Sequence, residues 1–281
     1  MEFVALAVAL AAAVCFAGAF VSQQHVAFAV PEAKGRGLRL YLQLARSPIW
    51  WAGAVGDVAG FALQAVALGF GSVVLVQPVL VTAMVFALPL AAWWNGRRIR
   101  RSDLAWAVLV VVGLAVFTTV ANTEKGTVSD AARPWLFPGI TIGLVLAGLW
   151  LAGIKSKGTM RAFSYGALAG VAYGVIAPLT ELSVVNLEQL GLLGLVKSWP
   201  LYALVVFMLV GTALQQAAFH AGDLGASLPA TQVLEPLVAV ALGFWALGAQ
   251  LHTSLVGWVA IAAAGAAMAV GTVQLARSAA K

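Results

Sequence analysis

The chain contains a single cysteine, Cys15, so no disulfide can close within it and no all-cysteine metal site can form. Charge is scarce as well: Asp, Glu, Lys and Arg make up 9% of the 281 residues, against about 25% in soluble domains. Too few charged side chains remain to cover a water-facing surface, which excludes an ordinary soluble globule. Histidine is rarer still, and His25, His220 and His252 sit near loops without metal-ligand spacing. No glycine-rich phosphate loop follows a strand pattern. The expectation is therefore of no enzyme activity, no catalytic residue, no cofactor and no bound metal.

What fills the chain is apolar surface, 62% of residues, with a mean hydropathy of +0.98. A membrane-spanning helix needs about 20 consecutive apolar residues. Nine runs meet that need: 2–22, 49–69, 72–93, 104–121, 134–153, 162–181, 199–218, 227–248 and 253–275. The first run lacks a basic leader and is read as a retained span. The formal net charge of +6 does not point to nucleic acid, because Lys and Arg fall in short connections between the runs. Lys34, Arg36, Arg39 and Arg46 occupy one such connection; Arg97, Arg98, Arg100 and Arg101 the next; Lys155, Lys157 and Arg161 another; Arg277 and Lys281 the C-terminus. With nine spans all four groups fall on one side. The positive-inside rule then puts the C-terminus in the cytoplasm and the N-terminus outside, in a cell membrane. Residues 26–47 are too polar to span; Leu38, Tyr41, Leu42 and Ala45 share a face, which suggests an interfacial amphipathic helix.

The two halves repeat a pattern. Gly60-Phe-Ala-Leu-Gln64 matches Gly211-Thr-Ala-Leu-Gln215, Gln77-Pro78 matches Glu235-Pro236, and Gly113 aligns with Gly265. The matched spans run in opposite directions, so the expected fold is an all-α polytopic membrane protein with two inverted repeats. Residues 1–121 form the first repeat, with four spans and the interfacial helix; residues 134–275 form the second, with five. Inverted repeats place transporter sites near the bilayer midplane. An ionisable group buried in a span is costly and marks such a path. Glu235 is the strongest candidate. Depending on whether Ser227 caps the helix ahead of Pro229, it lies about 9–15 Å deep, with Thr231 one turn earlier on the same face. Asp57 and Gln64 share a stripe with Gly53 and Gly60 on the second span, and Gln77, Gln215 and Tyr173 complete the candidate cavity. Gly166, Gly170 and Gly174, four residues apart, form a packing face.

The run from Gln77-Pro78 through Leu90, Gly96-Arg97-Arg98, the stretch Ala107–Gly113, and Glu235-Pro236 through Gly248 together resemble the drug/metabolite transporter superfamily, and its EamA-type members in particular. The resemblance covers about residues 49–121 and 199–275. It implies alternating-access movement of a small molecule, a metabolite or drug-like amine, across the bilayer. Nine spans with an outside N-terminus are similar to the NIPA-like magnesium-transporter branch, so divalent-cation movement is the alternative within transport. A non-transporting scaffold or accessory subunit is the alternative outside it. The acid that usually follows the late Leu-Gly is replaced by Ala249-Gln250. The expected partners are the substrate and the lipid bilayer, with a homodimer left open and nucleic acid not expected.

Overall fold

A computed structural model describes residues 2–31, 38–70, 79–96, 98–120, 135–247 and 254–279. Gln77, Pro78, Arg97 and the connections 122–133 and 249–252 lie outside them. Among the described residues every long regular element is a helix, the form in which each backbone N–H and C=O is satisfied without water. In chain order these are α1 (Glu2–Ala29), α2 (Leu38–Leu44), α3 (Pro48–Phe70), α4 (Ala83–Trp94), α5 (Arg101–Val120), α6 (Leu136–Lys155), α7 (Gly158–Lys197), α8 (Trp199–Ala221), α9 (Leu224–Leu247) and α10 (Leu255–Ala279).

Among the described residues six segments are long and apolar enough to cross a membrane: Phe3–Ala29, Leu136–Lys155, Gly158–Thr180, Trp199–Ala221, Leu224–Gly243 and Leu255–Ser278. Their outward faces carry Val14, Leu144, Trp150, Val206, Leu209 and Val259 exposed. Apolar surface of that extent is stable only against lipid, and the fold is that of a multi-pass helical membrane protein.

Three sequence expectations change. The first helix does not stop at residue 22 but runs to Ala29, which makes Gln23 and Gln24 buried helix residues rather than loop. The expected interfacial helix over 26–47 is the seven-residue α2, since residues 26–29 belong to α1. Its buried face is Leu40 and Leu44, packed with Val21 and Ala27, while Leu42 and Ala45 are exposed. Thirdly, α7 does not end near 181; it continues to Lys197 with a break at Gly191, whose φ of +67° only glycine adopts readily.

The helix ends gather at two poles. At one, His220 Nδ1 of α8 meets the Ala27 carbonyl of α1 at 2.7 Å, and Ser278 Oγ of α10 donates to Asp103 Oδ1 of α5 at 2.6 Å. The His25 and Trp94 rings lie 5.1 Å apart at this pole, where Gly222 also abuts Gly158 and Ala162. At the other, Trp135 meets Trp199 and Phe137 meets Trp245, with centroids 5.5 and 6.2 Å apart.

Close contacts recur in pairs. A Cβ on Gly113 of α5 would lie 2.9 Å from Met268 Cγ and 3.1 Å from the Ala264 carbonyl. A Cβ on Gly271 of α10 would lie 2.5 Å from Val110 Cγ2 and 3.1 Å from the Trp106 carbonyl. One shift along the chain carries Trp106, Val110 and Gly113 onto Ala264, Met268 and Gly271, and the same shift carries Gln77-Pro78 onto Glu235-Pro236. Gly113 and Gly271 both face the contact between α5 and α10, while Gly265, aligned with Gly113 in the sequence, has nothing within 4 Å. Likewise Gly60 of α3 packs under the Phe16 ring of α1, and Gly211 of α8 under the Tyr173 ring of α7.

Candidate functional site

Helix α9 is seated on α7 through three glycines. Gly166, Gly170 and Gly174 face the backbone of Ser227, Thr231 and Glu235 respectively, a fourfold spacing on both helices. With no side chain between them the two backbones approach closely. Thr231 Oγ1 reinforces the seam, 2.9 Å from the Gly166 carbonyl and 3.1 Å from the Ser227 carbonyl. It is buried and serves the helix contact.

The start of α9 differs from the expectation. The helix begins at Leu224, and the Asp223 side chain accepts the Gly225 N–H at 3.0 Å, so Asp223 rather than Ser227 supplies the cap. Glu235 then lies eleven residues in, roughly 16 Å along the axis and near the middle of a core about 30 Å thick. Pro236 follows it inside the helix and removes one backbone donor. The Glu235 residue is exposed, although protein atoms surround its carboxyl at longer range.

Tyr173 enters the same region from α7. Its ring covers Gly211 and its hydroxyl pairs with Thr212; Glu235, Asp57 and Tyr41 all act on it electrostatically. Tyr173 therefore lies within electrostatic reach of both Asp57 and Glu235, the two acids singled out in the sequence. Tyr41 of α2 joins them from outside the spanning segments. Burial pushes its phenol up to about 12, so it stays a neutral hydrogen-bonding group at physiological pH. Gln64 and Gln215 are half-buried on α3 and α8, and among the described residues neither bonds to this group. Gln77 lies outside the described residues.

Asp57 has a second connection. The Trp50 indole N–H donates to Gln216 Oε1 at 3.3 Å, Gln216 Nε2 donates to Gln23 Oε1, and Gln23 Nε2 donates to Asp57 Oδ2. The three helices α1, α3 and α8 are joined by this chain. Gly53 makes room for it, because a Cβ there would fall 2.8 Å from Gln23 Cγ. Nearby, Gln24 Nε2 donates to the Gly222 carbonyl at 3.1 Å. Gln23 and Trp50 were not expected as site residues. The signal for Gln23 was the apolar run that resumes at Val26-Ala27-Phe28, which shows that the glutamines interrupt a helix rather than end it.

A cavity of about 440 Å³ lies away from Glu235. It opens at the α8–α9 pole between Asn95, Arg98, Arg100, Asp103, Asp223 and Ser278, among others.

No family model and no solved structure matches the chain. It is 33% identical over 278 residues to the uncharacterized protein Cgl0250/cg0304 of Corynebacterium glutamicum, a match that covers 99% of this chain and 96% of that one. The chain belongs to the same family as this corynebacterial protein.

Proposed function

We propose that the chain is a secondary transporter of the drug/metabolite type. It moves a small molecule, a metabolite or drug-like amine, across the cell membrane by alternating access between two inverted repeats. The observation that carries this reading is Glu235: an exposed carboxyl group near the middle of an apolar helix, beside a proline and within electrostatic reach of Tyr173. An acid there is costly unless a cation, a donor or water meets it. A path for substrate or protons supplies that partner.

The paired contacts support the repeats. Gly113 of α5 meets α10 and Gly271 of α10 meets α5, and Phe16 lies over Gly60 as Tyr173 lies over Gly211. On this reading α1, α3, α4 and α5 correspond to α7, α8, α9 and α10. Helix α6 stands between them, for nine crossings in all. Arg98, Arg100, Lys155, Lys157 and Arg277 flank the pole at which α8 ends and α9 begins, so that pole faces the cytoplasm. A reporter fused after Lys281 is expected to be active only in the cytoplasm, and an impermeant reagent should label a cysteine at position 2 from outside. A cytoplasmic N-terminus would require an uneven number of further crossings and refute the nine-helix arrangement.

Function itself is tested in proteoliposomes holding the full-length protein, with uptake and efflux of amines, neutral metabolites and Mg²⁺ followed separately. Saturable flux of an amine or metabolite is expected. Saturable Mg²⁺ flux without it, or no flux of any class, would reject the reading.

A further inference from the structure

The donor chain ending on Asp57 has only one orientation. An indole N–H can donate but not accept, so Gln216 must turn its oxygen to Trp50 and its NH₂ to Gln23. Gln23 must then offer its own NH₂ to Asp57. Every amide in the chain is fixed by its two ends, a donor-only ring and a carboxylate. Trp50 and Asp57 belong to α3, Gln23 to α1 and Gln216 to α8, so the chain crosses from the first half of the molecule to the second. The bonds from Gln24 to Gly222 and from His220 to Ala27 cross at the same level, and Phe20 packs edge-on against Phe219 with centroids 6.5 Å apart.

We propose that this chain is a charge-controlled latch: ionised Asp57 holds α8 against α1 and α3, and loss of that charge releases them at the pole where α8 ends. A hydrogen bond to an ionised acceptor is about twice as strong as a neutral one. Neutralising Asp57 weakens the last link and, through the fixed amide orientations, the links before it. The groups that act on Asp57 are few. From α1 it receives Gln23; from α7 Tyr173 is in electrostatic reach, and Tyr173 in turn feels Glu235 of α9 and Tyr41 of α2. Among the described residues no Lys, Arg or His pairs with Asp57. Its charge is therefore free to be cancelled by an arriving proton or a cationic substrate, and Gln23 and Gln216 act as positioning residues that carry the change to α8.

The proposal goes beyond the transporter reading and is tested without any flux measurement, so the two can fail separately. The experiment is hydrogen–deuterium exchange of the full-length protein in lipid nanodiscs, with rates corrected for intrinsic exchange at each pH. Lowering the pH is expected to speed exchange about fivefold in residues 20–29 and 214–222, while residues 104–114 and 264–272 of the α5–α10 seam keep their rates. Asp57→Asn should exchange fast in the same two segments at every pH, and Gln23→Leu should match it. Wild-type rates in Asp57→Asn would overturn the proposal. So would acceleration spread evenly over the seam as well, which is the mark of general destabilisation. If Asp57→Asn does not fold, the wild-type pH series decides alone, and a flat series in segments 20–29 and 214–222 would overturn the latch.

Discussion

Glu235→Gln is expected to remove most transport and the part of its dependence on pH or on a coupling cation that Glu235 carries, while yield and thermal stability stay near wild type. The two side chains share shape and hydrogen-bonding atoms, so packing on α7 is preserved; that seam is made by the backbone at Glu235, not by its carboxyl. What is lost is the charge. A hydrogen bond to a charged group contributes about 1.5–3 kcal/mol, which corresponds to roughly ten- to hundredfold weaker engagement of a cationic partner. Uptake measured against pH for both proteins in the same liposomes checks this. If Glu235→Gln transports with an unchanged profile, the carboxyl is part of the packing and the coupling role is wrong.

Gly170→Val is expected to destabilise the protein by about 3 kcal/mol, or to prevent folding, and Gly174→Val to do the same. Replacing glycine in a helix ordinarily gains about 0.5–1 kcal/mol in propensity. Here that gain is overwhelmed. The first added carbon at Gly170 would lie 2.6 Å from the Thr231 carbonyl, and at Gly174 2.5 Å from the Glu235 carbonyl, so backbone must retreat. Gly139→Val on α6 is the control: a Cβ there meets nothing within 4 Å, and the change should stay within about 0.5 kcal/mol. Thermal unfolding in detergent, with the monodisperse fraction as a second readout, separates them. Equal losses at Gly170 and Gly139 would mean that the α7–α9 seam is not the reason for the glycines.

The helices were legible because lipid allows little else: apolar runs of sufficient length must satisfy their backbone internally. The Gly166-Gly170-Gly174 face was legible for a similar reason, since fourfold glycines carry their own geometry. Hydropathy misplaced the end of α1, because it counts Gln23 and Gln24 as polar without knowing that α3 and α8 supply their partners. It also misread which face of α2 is buried: Leu40 and Leu44 turn into the bundle, while Leu42 and Ala45 are exposed. The register proposed for the repeat rests on Gln77-Pro78 and Glu235-Pro236, where the chemistry is unusual. It could not be read from Gly265, one of many small residues in a chain with 29 glycines. The reach of Tyr173 to both Asp57 and Glu235 depends on how three helices cross, and no spacing within one helix encodes that.

Helix α6 makes contact chiefly with α7, and Gly139, Gly143 and Gly148 have open space beside them. Its importance on the nine-crossing reading is one of parity. A unit of four crossings returns the chain to the side from which it started, so a second copy joined directly would enter the bilayer the same way up. One intervening crossing turns that copy over. Without it α9 would run in the same direction as α4, and a half-turn exchanging α5 with α10 would be impossible. A helix with so little packing of its own would thus set the handedness of the whole duplication.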